Sequence, residues 1–309
     1  MINYIKILSE LNKDLLPEAG GKAANLGELI NAGLPVPPGF VVTAGAYRTH
    51  LEASGLQERI AGRLENIKEQ DIPAISEASQ VISAWIEEAP MPIQVQEQVE
   101  IAYVNLSEKM GLAENFSVAV RSSATAEDLP SASFAGQHDT FLGIYGKEAV
   151  LFNVKKCWAS LWSSQAISYR MSMGFEHLKV DLAVVVQAMI ASESAGVMFT
   201  ANPLNGNRDE ILISAGYGLG EVVVSGLINP DTFIMTKEGR IKEKVLGSKE
   251  LRIGLTEKGT ITEEVPQSER KSYCLGVDEL VQLTNLANQV EKQYGRPMDI
   301  EWALSKDKI

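Results

Sequence analysis

The chain has 309 residues, of which 45% are hydrophobic and 22% charged, and its formal net charge is −12. This length exceeds one comfortable hydrophobic core, so we expect two packed lobes. The composition excludes a disordered chain, and the acidic balance disfavours a nucleic-acid partner because it repels the phosphodiester backbone. The sequence has no apolar run that could span a bilayer and no signal-peptide pattern at its N-terminus, so we expect a cytosolic protein without membrane partners.

The first predicted element is a helix that opens on a glycine pair, Gly20 and Gly21, and ends near Gly33. Lys22 directly follows the pair, so its ammonium and the helix N-terminal amides would point together towards an anion. The Walker pattern GxxxxGK[ST] is absent from the chain. Taken alone, Lys22 is better explained as a solvated surface lysine.

A strand with one arginine follows a mostly helical stretch, residues 45–112. The apolar run Phe116–Val120 predicts the strand, which places Arg121 at its end. The rigid guanidinium fork suits phosphate oxygens, and the small residues Ser131–Gly136 would let backbone amides approach an anion. The alternative is a structural ion pair between Arg121 and Glu127 or Asp128.

The second half of the chain alternates short β-branched runs with turns, which predicts a lobe rich in antiparallel strands. A helix or helix pair over 147–173 precedes these runs, and a helix over 278–294, capped by Asp278 and Gly295, follows them. The predicted strands are 182–189, 195–200, 210–214, 222–224, 232–236 and 298–303.

Three places in this half carry groups that suit a ligand. Gln187 and Met189 end a predicted buried strand, where an amide and a soft apolar side chain can face a base, although a plain core strand explains them equally well. Glu221 follows the glycines of 216–220. We reject a dinucleotide fingerprint there because β-branched residues follow, which leaves a glycine turn between strands as the simple interpretation.

The third place is Asp299-Ile300-Glu301-Trp302, whose alternation puts both carboxylates on one face of a strand. Two acids on one face repel each other unless a cation lies between them, and hard oxygen ligands suit Mg²⁺. The alternative is a pair of solvated acids on an edge strand. The two cysteines, Cys157 and Cys274, lack metal-binding spacing, and we expect both to be buried.

Several segments, taken in order, resemble the N-terminal ATP-grasp domain of the phosphoenolpyruvate synthase (pyruvate, water dikinase) family, to which rifampin phosphotransferases are closely related. They are GGKAANLGELINAGLPVPPGF, VRSSATAEDLPSASFAGQ, CWASLW, AISYR, GVMFTANP, GLGEVVVSGLINPD and GRPMDIEWAL. The resemblance implies a mixed α/β, or α+β, fold of two lobes with the nucleotide between them. We expect the first lobe, with the GGK and VRSS segments, over 1–183, and the second over 184–309, truncated before its last strand.

The same resemblance implies ATP and Mg²⁺ as ligands and a stepwise mechanism. ATP would pass phosphate to a histidine on a separate swivelling domain, which carries it to an acceptor domain, in cis or as separate subunits. Lys22 and Arg121 would act on the phosphates as catalytic residues, and Glu301 with Asp299 would hold the metal. The implied nucleotide-binding residues are Lys22, Arg121, Gly136, Thr140, Gln187, Met189, Glu221 and Glu301.

Two departures from the family limit this expectation. The glycine-rich TGG…SHA pattern of the phosphohistidine is absent, and His50, His138 and His177 lie in other contexts. We therefore expect an excised domain or a separate ATP-binding subunit. The loop SASFAGQ also differs from that of pyruvate, phosphate dikinase. The alternatives left open are a rifampin phosphotransferase domain, a phenylphosphate-synthase-like subunit, and a nucleotide-binding regulatory module without transfer activity.

Overall fold

A computed structural model describes residues 2–111, 116–125, 139–306 and 309. The chain divides into two compact units, Met1–Met189 and Ile190–Ile309. Strand Leu182–Ala188 pairs with two strands of the first unit. In the described part of the chain, no helix is both long and apolar enough to cross a membrane.

The first unit is built on one five-stranded antiparallel sheet. Its strands are β1 Ile5–Ile7, β2 Gly39–Val42, β3 Ser117–Ala124, β4 Thr140–Tyr145 and β5 Leu182–Ala188. They lie in the order β1-β2-β5-β3-β4, so the strands distant in sequence, β3 and β5, become central neighbours. Arg121 was predicted at a strand end, which is wrong: β3 continues to Ala124 because it keeps its partner β5 that far.

The helices of the first unit cover both faces of this sheet. Val118 and Val120 of β3 belong to a large core on one face, whereas Val185 of β5 and Ala23 belong to a smaller cluster on the other. Within the described residues, the predicted helical regions 45–112 and 147–173 are confirmed. The helices are α1 Leu16–Asn31, α2 Ala44–Ala53, α3 Leu56–Leu64, α4 Ile72–Glu88, α5 Ile93–Met110, α6 Lys147–Ser160 and α7 Ser164–Ser172.

The second unit contains a five-stranded antiparallel sheet and a separate hairpin, which confirms the predicted antiparallel character. The elements are β6 Ser194–Phe199, β7 Glu210–Tyr217, α8 Glu221–Val224, β8 Asp231–Thr236, β9 Ile241–Val245, β10 Leu251–Thr256, β11 Gly259–Glu264, α9 Gln267–Arg270, α10 Val277–Tyr294 and β12 Asp299–Leu304. The sheet order is β12-β6-β7-β8-β9, and β10 pairs with β11. Its core includes Ile213, Phe233, Leu283 and Trp302.

Two local predictions for this unit are wrong. Residues 222–224 form part of the short helix α8 instead of a strand, since Val222 is buried and Gly226, with φ of 70°, turns the chain directly afterwards. Helix α10 is capped by Gly276 and not by Asp278, which lies in its first turn. The predicted C-cap is confirmed, because Gly295 adopts the left-handed conformation with φ of 66°.

Candidate functional site

The N-terminal helix is interrupted at Gly20, where φ is 77° and ψ is 167°. The regular helix therefore begins at Gly21, and Lys22 lies in its first turn, as the sequence predicts. A Cβ atom on Gly20 would lie 2.1 Å from the carbonyl oxygen of Ser123. Only glycine permits this approach and this φ, so the glycine pair docks the start of the helix directly onto β3.

A serine from another element caps this helix. The hydroxyl of Ser123, which is fully buried, accepts a hydrogen bond of 3.1 Å from the backbone N–H of Ala23. This is the contact that an N-cap side chain usually makes within its own helix. No role was predicted for Ser123 from the sequence. Its place two positions after Arg121 in the same strand could have indicated that it faces the site.

Arg121 lies on the same face of the sheet as this helix start. Val120 points into the large core, so the alternation of β3 sends Arg121 and Ser123 to the opposite face. Directly across from Arg121 stand Thr140 on β4 and Val185 on β5. The structure thus brings three predicted residues to one face: Lys22 at the helix start, half-buried Arg121, and the half-buried threonine.

A buried thiol, Cys157, and the acid Asp139 lie close to β3. The carbonyl oxygen of Asp139 accepts hydrogen bonds of 3.2 Å from both the backbone N–H and the hydroxyl of Ser122. Desolvation raises the pKa of the Asp139 carboxyl, and Lys156 partly opposes the rise. Burial also raises the pKa of the Cys157 thiol, while the charges of Lys22 and Lys156 act in the lowering direction. Cys157 is thus a neutral, buried thiol, as predicted, whereas Cys274 is half-buried.

The two residues expected near a base lie at the end of β5. Gln187 is buried on the same face as Arg121, because it pairs with Ala119 two positions away. Its side-chain amide donates to the carbonyl of Pro37 at 3.0 Å. The backbone N–H of half-buried Met189 donates to Ser117, so this N–H is engaged within the protein. Gln187 therefore has a bonding role within the unit itself.

Gly136 lies outside the described residues. The same holds for Glu127 and Asp128, the alternative partners of Arg121, and for the small-residue stretch Ser131–Gly136.

In the second unit, Glu221 is exposed and is the first residue of α8. The glycine segment before it is held from two sides. The N–H of Gly218 donates to the carbonyl of Glu193 at 2.9 Å, and the N–H of Leu219 donates to Ile253 at 2.8 Å. Val222 is buried directly after it. The backbone around this carboxylate is therefore fixed.

Asp299 and Glu301 share the exposed face of β12, as predicted, while Trp302 and Leu304 face the core. The start of the strand is pinned by Thr200, which is fully buried. Its N–H donates to the carbonyl of Met298, and its hydroxyl accepts from the N–H of the same residue, both at 2.9 Å.

The two strand carboxylates fit Mg²⁺, which binds one or two protein carboxylates and completes its shell with water and substrate phosphates. No cluster of three or more His, Cys, Asp or Glu side chains suited to a metal occurs within the described residues. The described residues therefore contain no complete set of protein ligands like that of a structural zinc site.

In the first unit, a strand arginine on the same face as a glycine-opened helix start has the chemistry of a nucleotide phosphate site, and the second unit by itself carries a pair of strand carboxylates. Comparison with protein-family models gives the same class and specifies it. The model described as "Pyruvate phosphate dikinase, AMP/ATP-binding domain" matches residues 16–309. The chain belongs to this family.

Individual relatives carry the name phosphoenolpyruvate synthase. The chain is 48% identical to a probable phosphoenolpyruvate synthase of Methanocaldococcus jannaschii over 310 aligned residues, which cover 100% of this chain and 26% of that protein. It is 41% identical to the phosphoenolpyruvate synthase of Pyrococcus furiosus, with coverage of 98% of this chain and 42% of that protein. The chain thus spans between about a quarter and two fifths of the length of these relatives.

Proposed function

We propose that this chain binds ATP with Mg²⁺ and passes a phosphoryl or pyrophosphoryl group to a histidine on a separate domain. The overall reaction would be that of phosphoenolpyruvate synthase, in which ATP, pyruvate and water give phosphoenolpyruvate, AMP and phosphate. The observation that carries the proposal is the docking of the helix start at Gly20–Ala23 onto Ser123, beside Arg121. Family membership and the names of the relatives support it.

The roles of the first unit follow from charge and geometry. The helix N-terminus, with Lys22 in its first turn, supplies backbone N–H groups and one positive charge to a phosphate chain. Arg121 adds a five-donor fork on the same face, and Thr140 stands across from it with a hydroxyl donor. Phosphoryl transfer depends on correct positioning of the phosphates and on neutralisation of the charge on their oxygens. These groups would contribute to both.

The second unit would serve the metal and the nucleoside. Asp299 and Glu301 would hold Mg²⁺ through carboxylate oxygens, and Glu221 would accept hydrogen bonds from the nucleotide. When bound, the ion would neutralise negative charge shared by neighbouring phosphate oxygens. In the first unit, Gln187 and Met189 would border the base. Gly136 would belong to the segment that covers the phosphates, as the family resemblance implies.

The relatives' name favours pyruvate as the acceptor. The proposed route needs a phosphohistidine that the family pattern would provide, and the 309 residues do not contain that pattern. We therefore infer that the phosphohistidine and the acceptor site are supplied by further domains, in cis or as separate chains. Residues 1–309 tested alone should give negligible phosphoenolpyruvate.

Isothermal titration of the 309-residue chain with ATP, in excess Mg²⁺ and in EDTA, tests the first part of the proposal. We expect the wild-type chain to bind ATP saturably in Mg²⁺ and much more weakly in EDTA. In Mg²⁺, the double variant Asp299→Asn/Glu301→Gln should bind ATP more weakly than the wild-type chain. Binding that is identical with and without Mg²⁺ would remove the metal assignment. No binding under either condition would remove the nucleotide assignment.

The transfer step is tested by adding the remaining domains of the Pyrococcus furiosus relative in trans, together with γ- or β-labelled ATP. We expect label on a histidine of the added domains, and loss of that label with Lys22→Met or Arg121→Ala. Stable label on His50, His138 or His177 of this chain would contradict the proposed route.

A further inference from the structure

The second unit contains a completely buried ion pair between Lys249 and Asp231, in which neither side chain is exposed to solvent. The carboxylate of Asp231 also accepts hydrogen bonds of 2.8 Å from the backbone N–H groups of Gly247 and Cys274. The ammonium of Lys249 donates further to the carbonyl of Gly247 at 2.9 Å. Burial of two charges costs several kcal/mol per ion unless such bonds compensate, so a fully bonded pair here calls for an explanation.

The pair fixes the segment that leads into β10. Lys249 adopts a left-handed backbone, with φ of 42°, which is uncommon for a residue with a long side chain. Its N–H donates to the carbonyl of Asn229 at 3.2 Å. Gly247 lies so close to the same turn that a Cβ would meet the Asn229 carbonyl oxygen at 2.3 Å. The chain between Gly247 and Lys249 is therefore tied to the residues just before β8.

Strand β10 in turn holds the glycine segment before Glu221. Its residue Ile253 accepts from the N–H of Leu219 at 2.8 Å and forms a parallel bridge with Gly218. Gly218 has φ of 77°, and a Cβ on it would lie 2.3 Å from the Ile253 carbonyl oxygen. The contact thus requires glycine on one side and a fixed strand on the other.

We propose that the Lys249–Asp231 pair is a positioning device for Glu221. The pair sets the place of β10, the carbonyl of Ile253 sets the place of Gly218 and Leu219, and these residues set where the Glu221 carboxylate stands. The inference rests on the proposed function, since it takes Glu221 to be a nucleotide contact. Lys249 and Asp231 themselves touch no nucleotide.

The chain offers a matched pair of glycines for the test. Gly218→Ala places a methyl group against the Ile253 carbonyl, whereas at Gly206, with a similar φ of 73°, an added Cβ would have no atom within 4 Å. We measure ATP affinity in Mg²⁺ by titration calorimetry for the 309-residue chain, both single variants, Glu221→Gln, and the double variant Gly218→Ala/Glu221→Gln. Circular dichroism melting of each variant reports folding.

We expect Gly218→Ala and Glu221→Gln each to weaken ATP binding by about tenfold or more, the size of a lost hydrogen bond to a charged group. Gly206→Ala should stay near wild type. The decisive result is the double variant, which should bind no more weakly than Glu221→Gln alone, because the loop acts through that carboxylate. A purely structural loop would give effects that multiply.

Lys249→Met should reproduce the Gly218→Ala effect, again only when Glu221 is present. Removal of one partner leaves a buried carboxylate, so this variant can fail to fold, and the glycine cycle then decides alone. Multiplying effects, or unchanged affinity in Gly218→Ala, would overturn the inference while leaving the proposed function intact. Wild-type chain that does not bind ATP would overturn both.

Discussion

Arg121 shows most directly how one side chain can separate binding from folding. It is half-buried on a face that holds the helix start at Lys22 and the hydroxyl of Thr140. A charge-assisted contact to phosphate is worth about 1.5–3 kcal/mol. We therefore expect Arg121→Ala to raise the Kd for Mg–ATP by about 10- to 100-fold with only a small change in melting temperature, as measured by calorimetry and thermal melting.

Two controls sharpen this expectation. Arg121→Lys keeps the charge but loses the planar fork, so its Kd should fall between those of the wild type and the alanine variant. Arg63→Ala removes the ion pair of 3.0 Å between Arg63 and Glu77 in the same unit, and it should leave ATP affinity unchanged. A sharp fall in melting temperature for Arg121→Ala, with ATP affinity retained, would instead indicate a structural role.

At this scale, the sequence predicts candidate site residues but not the bonds that surround them. Lys22 and Arg121 were predicted because each lies in a short motif with its own local logic. The bond between Ala23 and Ser123 joins residues 100 positions apart, and the Lys249–Asp231 pair joins two charges that no local pattern marks. Such contacts depend on which strands become neighbours, which the sequence of either partner alone does not encode.

Two glycines that flank the regular helix from Gly21 to Asn31 have similar positive φ angles but unequal contacts. Gly20 and Gly33 have φ of 77° and 78°, yet a Cβ on Gly20 would meet Ser123 at 2.1 Å, while one on Gly33 would meet no atom within 4 Å. A positive φ costs an alanine about 1–3 kcal/mol at either site. The overlap should add about 1–3 kcal/mol for Gly20→Ala alone.

Urea denaturation of both variants, with ATP titration, measures this difference. We expect Gly20→Ala to lose more stability and most of its ATP affinity, because the helix start moves away from β3. Gly33→Ala should lose only the smaller amount of stability and should bind ATP normally. Equal losses in both variants would show that the contact with Ser123 does not hold the helix in place.

Among the elements, helices with a clear periodic spacing of apolar residues were predicted well. Elements whose conformation depends on tertiary packing were not. Helices α2 to α7 follow apolar spacing that the chain displays openly. The residues Val222–Val224 favour a strand by their branching, yet burial of Val222 and the turn at Gly226 make them a helix. The position of β5 in the first unit likewise depends on its pairing with β2 and β3.

For the whole molecule, the location of the histidines predicts that the stability of the two units depends differently on pH. All three histidines of the sequence precede Ile190. Burial lowers the pKa of His50, whose ring centroid lies 5.0 Å from that of Trp158, and burial with the charge of Arg170 lowers the pKa of His177 to about 4. Because the unfolded histidines titrate near 6.5, the stability that these neutral side chains contribute is complete above about pH 6.5 and is lost as the pH falls below that value, down to about 4 for His177.

The second unit should respond only in stronger acid. Hydrogen bonds from Lys242, Asn205 and Asn202 lower the pKa of Glu210 to about 2, so its contribution is lost between about pH 4.5 and 2. In the first unit, burial raises the pKa values of Asp139 and Asp181. The fold therefore gains stability as the pH falls and these two carboxyls become protonated. The histidine effect should therefore be clearest between about pH 6.5 and 5.

Hydrogen exchange at pH 6.5 and 5, with labelling times adjusted for the intrinsic rate, measures the two units separately. We expect protection to fall in Met1–Met189 and to hold in Ile190–Ile309. His177→Gln should reduce the fall, since the amide oxygen can still accept from the Arg170 Nε that now bonds His177 at 3.1 Å. Parallel loss of protection in both units would contradict the assignment.

The hydrogen bonds at Thr125 and Asp139 have a consequence for how such a domain can change in evolution. The N–H and hydroxyl of Thr125 donate to the backbone carbonyl of Asp181, and the N–H and hydroxyl of Ser122 donate to the backbone carbonyl of Asp139. Because the acceptors are backbone carbonyls, substitutions of Asp139 or Asp181 that leave the backbone in place would retain these bonds. Lineages could therefore change these two side chains while inheriting the strand ends unchanged.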